Sequence, residues 1–311
     1  MRAFDRIQNL LTEKAELLAR IRTIPFDGSI EVKTVKAEKY IYVRKREAGK
    51  YKSSYIDKYS DELYTLAVAQ ALQVREYKKR LRKIEKQLAE LGYTEGELSP
   101  RVLLNIDFAR ANIKSLIYDQ AVLEGIATTF PQTETILENG EVNGVKASDV
   151  QKILNLKRAW ELIVDPDVIA APCDYYLLSH IARLVNDGFS RDGGAIRSVP
   201  VSIGGSAYVP QIPVEYEVKQ RISEIVNSTA KPIDKAIELA LFSMKTQVFI
   251  DGNKRASVIF ANHFMIQNGL GLLVIPENTV SEFKKLLVAY YEDKDNGEIF
   301  AFLKGKCWRK F

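Results

Sequence analysis

Residues 247–266 read QVFIDGNKRASVIFANHFMI, and this stretch is the most informative part of the chain for its fold. A short polar turn, Asp251-Gly252-Asn253, follows an apolar helical pattern that begins at Pro232, a residue favoured at the first position of a helix. From Ala256 to Ile266 apolar side chains lie almost all the way round the helix, which predicts a helix buried in a helical domain. The stretch therefore predicts two helices joined by a tight glycine turn.

The turn would place the backbone amides of residues 252–255 at the N-terminus of the second helix. Such amides, together with the positive end of the helix dipole, favour the binding of an anion. Asp251 could hold a divalent cation that bridges phosphates, and Arg255 could donate two hydrogen bonds to phosphate oxygens. A structural helix-turn-helix with Asp251 as a capping residue is the alternative, and spacing alone does not separate the two interpretations.

The segment VFIDGNKR resembles the signature loop of Fic (Fido) domains, His-Pro-Phe-x-Asp/Glu-Gly-Asn-Gly/Lys-Arg. The matching positions are Phe249, Asp251, Gly252, Asn253, Lys254 and Arg255, followed seven residues later by Asn262, where many members also carry asparagine. The resemblance implies AMP transfer from ATP, bound with Mg²⁺, to a protein hydroxyl. It also implies that Asp251 is the metal ligand, and that the nucleotide phosphates contact Gly252, Asn253, Lys254, Arg255 and Asn262.

The loop departs from the family at its first two positions, where Gln247 replaces the catalytic histidine and Val248 replaces proline. A glutamine amide can position a hydroxyl but cannot accept its proton, and a general base usually contributes about 10² to 10⁴-fold. Asp251 is a conceivable alternative base, although metal ligation would suppress its basicity. The sequence therefore leaves open a nucleotidyltransferase of weakened or altered activity and a pseudoenzyme that binds a nucleotide or a partner.

A second family feature lies at Leu123-Glu124-Gly125, which is similar to the end of a helix that covers the active site in many members. There a glutamate obstructs the γ-phosphate position, which implies an inhibitory role for Glu124. However, the family's hydroxyl residue is replaced by Gln120, and the second arginine that would pair with the glutamate is replaced by Val258. Both partners that would fix Glu124 are thus expected to be missing, and termination of the helix by Gly125 is the alternative interpretation.

Residues 197–210 resemble the family's flap, a β-hairpin beside the active site. Ile203, Gly204 and Gly205 are expected at its reversal, because glycine permits a tight turn or a close approach of backbone. An exposed strand edge can pair with an extended segment of another protein. The expected partner is therefore a protein target docked on the flap.

The whole chain is predicted to be mainly α-helical, with a basic N-terminal module at 1–95 and a Fic domain at 96–311 joined through a linker at 92–99. Through Glu95 there are 21 Lys and Arg against 14 Asp and Glu, so the module is basic. Its two apolar helical stripes predict an antiparallel hairpin, and the longer stripe, a heptad seam, could alternatively form a homodimer.

Between these helices, residues 29–58 predict a three-stranded antiparallel sheet with a turn at 47–50. Basic side chains alternate there with tyrosines, which could contact nucleic acid, as in a transcription regulator. The alternative is a solvated charged face with tyrosines in half-buried cross-strand pairs.

The charged start MRAFDRIQNL predicts no secretory signal, and no apolar run approaches the length of a membrane span. Two cysteines provide no disulfide framework, so a cytoplasmic protein is expected.

Overall fold

The computed structural model of the 311-residue chain describes residues 3–47, 50–91, 98–139, 144–295 and 297–310. The centre of the predicted turn at 47–50 and most of the predicted linker at 92–99 lie outside these residues. The chain folds into two compact units, Met1–Glu95 and Gly96–Phe311.

The first unit is a helical hairpin that carries a small sheet. Its elements are α1 (Ala3–Thr23), β1 (Ser29–Val35), β2 (Glu38–Glu47), β3 (Lys50–Lys58) and α2 (Asp61–Glu90). Leu10 and Leu11 of α1 pack against Ile84 and Leu88 of α2, so the two predicted stripes bury one another. The strands form an antiparallel meander in the order β1-β2-β3. The predicted mainly helical fold with a small antiparallel sheet is confirmed.

The second unit is helical. Its elements are α3 (Pro100–Ala111), α4 (Ile113–Leu123), α5 (Phe130–Asn139), α6 (Ala147–Ile163), α7 (Pro166–Ala170), α8 (Tyr175–Val185), α9 (Glu215–Asn227), α10 (Pro232–Thr246), α11 (Asn253–Gln267), β4 (Leu272–Leu273), a 3-10 turn (Glu277–Thr279), α12 (Val280–Tyr291), α13 (Glu298–Phe302), a π turn (Leu303–Cys307) and β5 (Trp308–Arg309). None of the described helices is both long enough and apolar enough to cross a membrane.

Helix α11 lies at the centre of this unit, as its apolar pattern predicts. Every side chain from Arg255 to Ile266 is buried, and the helix contacts α3, α6, α7, α8 and α10. Because α11 is enclosed, its position is set by the surrounding helices, and its N-terminal end is held in a fixed direction.

His263 of α11 is fully buried, and its Nε2 lies 2.7 Å from the carbonyl oxygen of Val168. Burial lowers the pKa of this imidazole from 6.5 to about 4. His263 therefore becomes protonated near pH 6.5 in the unfolded chain, whereas in the folded chain it becomes protonated only near pH 4. The stabilising contribution is complete above pH 6.5 and is lost as the pH falls toward 4.

We expect His263→Gln to flatten this pH dependence, since glutamine supplies an N–H donor that does not titrate. In the wild type, His263 should account for a loss of about 3 kcal/mol of unfolding free energy between pH 7 and pH 4. Urea unfolding at a series of pH values measures the effect. Equal pH slopes for the two chains would contradict it.

Candidate functional site

The loop between α10 and α11 gathers Gln247 and residues 251–255 at one place. Helix α10 is capped by Gln247, whose backbone is left-handed with φ of 47°, and α11 begins after Gly252, whose φ is 74°. No side chain caps the N-terminus of α11, so the amides of its first turn are left without intrahelical acceptors. This is the geometry of an anion site.

The side chain of Asn253 braces the loop from within. It accepts a hydrogen bond from the Phe249 amide at 2.9 Å and donates to the Phe249 carbonyl at 2.7 Å and to Gln247 Oε1 at 3.1 Å. The side chain is only 4% exposed. The resemblance implies a phosphate contact for Asn253. Because its side chain is engaged within the loop, the backbone amide, in the first turn of α11, is the group that would make this contact.

Gln247, in the position of the family's catalytic histidine, has both ends of its amide engaged. Its Nε2 donates to the Met244 carbonyl at 2.7 Å, while its Oε1 accepts from Asn253. The side chain thus closes the end of α10 instead of pointing freely into the site. A hydroxyl group that approaches Gln247 would have to break one of these bonds to be positioned by it.

Arg255 is buried, with 3% of its surface exposed, and most of its donors face protein acceptors. Nη1 donates to the Val185 carbonyl at 2.8 Å, and Nη2 lies 3.2 Å from Asn186 Oδ1 and 3.0 Å from Asp251 Oδ2. The guanidinium therefore orders the loop as well as supplying positive charge.

Glu124 lies over the first turn of α11 and has cationic partners, contrary to the expectation drawn from Gln120 and Val258. Its Oε2 is 3.5 Å from Arg255 Nε, and its Oε1 is 3.8 Å from Lys254 Nζ. The first two cations of α11 thus replace the absent second arginine, because the end of α4 sits directly beside them. Glu124 Oε1 is buried and accepts no hydrogen bond from the described residues.

The predicted termination of α4 by Gly125 is also seen, so the two interpretations of this segment are compatible. Gly125 is left-handed with φ of 76°, and the amide of Ile126 bonds to the Ala121 carbonyl at 3.0 Å. The helix therefore ends at the residue that places Glu124 next to the loop.

Gln120 fixes α4 to the central helix. Its Nε2 donates to the Arg255 carbonyl at 2.8 Å, and its Oε1 accepts from Trp160 Nε1 at 2.8 Å. Gln120 and Val258 line the same small apolar pocket with Trp160. The two departures from the family pattern are therefore neighbours. Gln120 stands where the family pattern has a hydroxyl residue, and Val258 stands where it has the second arginine.

Asp251 is the exposed carboxylate of the site, with 65% of its side chain accessible and only Oδ2 paired to Arg255. Among the described residues, no three His, Cys, Asp or Glu side chains are grouped so as to hold a metal ion. Mg²⁺ usually needs only one or two carboxylates, since substrate phosphates and water complete its octahedron. The chemistry of this donor set therefore fits a cation that arrives with a phosphorylated ligand.

Asn186, at the C-terminal end of α8, is a site residue that the sequence analysis missed. Its Nδ2 donates to the Asp251 carbonyl at 2.9 Å, and its Oδ1 accepts from Arg255. A Cβ added at Gly252 would lie 2.6 Å from Asn186 Oδ1, so glycine is required at that position both for its φ and for this contact. No local pattern around Asn186 indicates the role.

Arg197, at the start of the flap, is a second residue that was missed. It is 2% exposed, and its guanidinium donates to the carbonyls of Gln247 at 2.6 Å, Val199 at 2.8 Å and Gln211 at 2.5 Å. Burial lowers the pKa of this guanidinium. One side chain thus ties both ends of the flap to the beginning of the signature loop.

The flap at 197–210 is an irregular loop, and the predicted β-hairpin is not formed there. It reverses at Gly204-Gly205, where the Ser206 amide bonds to the Ile203 carbonyl at 3.2 Å. Pro200 and Pro210 lack amide donors, and Arg197 takes carbonyls that a partner strand would need. These features explain why the two arms do not pair with one another.

The tip of the flap is held by Glu292 at the end of α12. Glu292 Oε1 accepts from Ser206 Oγ at 3.0 Å and from the Ala207 amide at 2.9 Å. These bonds, and above all the ion pair with Lys294, lower the pKa of Glu292 to about 2. The flap is therefore fixed at its base and at its tip.

Asn262, for which the resemblance implies a nucleotide contact, is bonded to backbone away from the loop, as is His263. Asn262 is fully buried, and its amide bonds to the Val258 and Leu273 carbonyls and to the Leu273 amide, which attaches β4 to α11. His180 Nδ1 lies 2.9 Å from Arg183 on α8.

Comparison with known proteins gives two family matches. Residues 172–265, which include α8, the flap, α10 and most of α11, match the Fic/DOC family. Residues 4–65 match a domain of unknown function, DUF6788. The Protein adenylyltransferase Fic of Drosophila willistoni is 27% identical over 213 residues, which are 65% of this chain and 42% of that protein. The chain thus spans less than half the length of this curated relative.

Similar solved structures carry the same fold. Residues 134–508 of Fic-1 from C. elegans align with a TM-score of 0.53 and 17% identity over 78% of each chain. A Fic domain containing signalling protein from Bacteroides thetaiotaomicron gives a TM-score of 0.53 and 20% identity over 70% of this chain and 89% of that one. The loop geometry, the family match over residues 172–265 and the shared fold of these structures agree in relating the helical unit to Fic domains.

Proposed function

We propose that this chain binds a nucleoside di- or triphosphate at the N-terminus of α11. We further propose that it transfers AMP to a protein hydroxyl slowly or not at all. Support for nucleotide binding comes from the uncapped first turn of α11, the adjacent Lys254, and the left-handed Gly252 that turns the amides toward the ligand. The Drosophila relative is named as a protein adenylyltransferase, which is consistent with a nucleotide as the ligand.

ATP with Mg²⁺ fits these residues. Asp251 would hold the cation through its unpaired carboxylate oxygen, and the backbone amides of 252–255 would face the phosphates. When bound, Mg²⁺ supplies charge neutralisation for the bridged phosphates. The orphaned Glu124 Oε1 beside Lys254 marks where a phosphate oxygen could replace the carboxylate.

The observation that carries the proposal of weak transfer is the double engagement of the Gln247 amide. With Nε2 on Met244 and Oε1 on Asn253, this side chain supports the loop and offers no base to an attacking hydroxyl. We infer that the phosphate-binding half of the site is retained and the proton-accepting half is lost. A nucleotide-dependent regulator is the function that this combination supports best.

A protein target remains the proposed partner of the flap. Val199 and Val209 are 47% and 65% exposed on its two arms, so an extended apolar segment could lie along it. Because the flap is fixed by Arg197 and Glu292, such a segment would meet a preformed surface.

We expect Glu124→Ala to bind Mg²⁺-ATP about tenfold more tightly than the wild type. The reason is that the carboxylate competes with phosphate for Lys254 and Arg255, and its removal leaves both cations to the ligand. Isothermal titration calorimetry of the full chain measures the affinity. Glu138→Ala, which removes an exposed surface glutamate from the same unit, is the matched control.

The same titration tests the proposed function itself. Asp251→Asn should weaken the binding of Mg²⁺-ATP more than that of ATP in EDTA, since loss of the cation contact affects the first alone, whereas loss of the ion pair with Arg255 affects both. Absence of ATP and ADP binding in both the wild type and Glu124→Ala would overturn the proposal of a nucleotide site.

A further inference from the structure

One face of the N-terminal sheet gathers aromatic and basic side chains. By the strand register, Glu31 pairs with Tyr42 and Tyr42 with Tyr55, while Arg46 pairs with Tyr51. Alternation along the strands, together with a register irregularity between Ile41 and Tyr42, then places these residues on the same face of the sheet: Ser29, Glu31, Lys33, Val35, Glu38, Tyr40, Tyr42, Arg44, Arg46, Tyr51, Ser53, Tyr55 and Lys58. We call this set the tyrosine face.

The other face of the sheet contains the buried Ile41. Strand β1 contacts α2. The tyrosine face is directed away from this packing, and within the described part of its own unit no helix covers it. Tyr51 and Tyr55 are 65% and 57% exposed, although rings of this size are usually buried.

The rings lie close enough to form one continuous surface. Tyr55 stands between Tyr40 and Tyr42, with ring centroids 6.1 Å and 5.8 Å apart. Arg44 lies 4.2 Å from the centre of the Tyr51 ring, and Lys33 lies 4.6 Å from that of Tyr42. A row of aromatic rings with cations on or beside them is the arrangement that binds nucleobases and their phosphates together.

The tyrosine face carries four Lys or Arg (Lys33, Arg44, Arg46 and Lys58) against Glu31 and Glu38, a net charge of +2, and it belongs to a basic segment. Residues 29–58 contain nine Lys or Arg against four Asp or Glu, a net charge of +5. On the tyrosine face, Glu31 pairs with Arg44 at 3.0 Å and Glu38 with Lys58 at 2.6 Å. Both ion pairs are exposed, so they cost little to exchange for phosphate contacts.

We propose that the tyrosine face binds single-stranded nucleic acid. Duplex would present phosphates to the basic residues but would keep its bases stacked away from the exposed rings. An acidic peptide would satisfy the cations and leave the rings without a partner. Only an unpaired strand satisfies both kinds of side chain, and this inference is independent of the nucleotide site proposed above.

Fluorescence anisotropy of the full chain with labelled oligo-dT of twelve nucleotides tests the proposal. We expect binding at 50 mM salt that weakens about tenfold or more at 200 mM, as release of a few counterions requires. Tyr51→Ala and Tyr55→Ala should each weaken binding by about fivefold or more, since each removes one stacking platform. Tyr51→Phe, which keeps the ring, should retain the wild-type affinity.

Tyr216→Ala is the matched control, because Tyr216 is 73% exposed and belongs to the helical unit. Circular dichroism of each variant verifies that the substituted chain is folded, which is expected for such exposed positions. A duplex of equal length and poly-glutamate are the competing ligands. The proposal is overturned if oligo-dT does not bind at low salt, if either competitor binds as tightly, or if both alanine variants bind like the wild type.

Discussion

Gln247→His is expected to raise the rate of AMP transfer by about 10² to 10⁴-fold, the usual contribution of a well-placed general base. Histidine brings a ring nitrogen that can accept a proton near neutral pH, whereas the wild-type amide cannot and is held by Met244 and Asn253. The left-handed backbone at this position suits the change, because histidine tolerates that conformation better than most residues.

The measurement is incorporation of α-labelled ATP with Mg²⁺ into the chain itself and into a lysate. Gln247→Ala is the control, since it also frees Asn253 but provides no base. Each variant is compared in a Glu124→Ala background, so that competition by the carboxylate does not mask transfer. A wild type as fast as Gln247→His would mean that the chain has a base elsewhere and would refute the proposed loss of transfer.

Arg255→Met is expected to cost about 3 to 5 kcal/mol of unfolding free energy in the helical unit. The substitution leaves the Val185 carbonyl, Asn186 Oδ1 and the Glu124 carboxylate without their donor in a site that water hardly reaches. For a domain of this size, each kcal/mol corresponds to roughly 2 to 4 °C, so the melting temperature should fall by about 6 to 20 °C.

Lys254→Met is the matched control for this loss. Lys254 is 33% exposed and reaches Glu124 only at 3.8 Å, so its removal should change stability by no more than about 1 kcal/mol. Differential scanning calorimetry of the two variants compares the effects. Equal melting temperatures would show that Arg255 contributes charge to the site but does not order the loop.

The sequence predicted those parts of the molecule that local patterns determine. An apolar surface on all sides predicted the enclosed α11, and Asp-Gly-Asn after a helical stripe predicted the turn that exposes its amides. The degenerate position Gln247 was identified from the resemblance to Fic domains, and the structure then explains how this glutamine is accommodated. Paired apolar stripes similarly predicted the N-terminal hairpin.

Contacts between distant segments were not predictable in this way. Asn186 and Arg197 act mainly on backbone carbonyls, which every residue provides, so no complementary side chain in the sequence indicates their partners. The pairing of Glu124 with Lys254 and Arg255 depends on where α4 ends relative to α11, and spacing along the chain carries no such information. For the flap, the resemblance and the glycines at 204–205 indicated a hairpin, but prolines and Arg197 removed the donors and acceptors that its ladder needs.

The hydrogen bonds from Arg197 to five backbone carbonyls restrict the movement of the segments around the candidate site. One guanidinium bonds to Gln247, Thr246 and both arms of the flap, so the end of α10 and the flap are held in one position relative to each other. On the opposite side, Gly125 follows Glu124 with open space around the position of a Cβ. The ion pairs of Glu124, at 3.5 Å and 3.8 Å, are longer than the hydrogen bonds of Arg197, so an entering anion would displace the Glu124 carboxylate more readily than the flap.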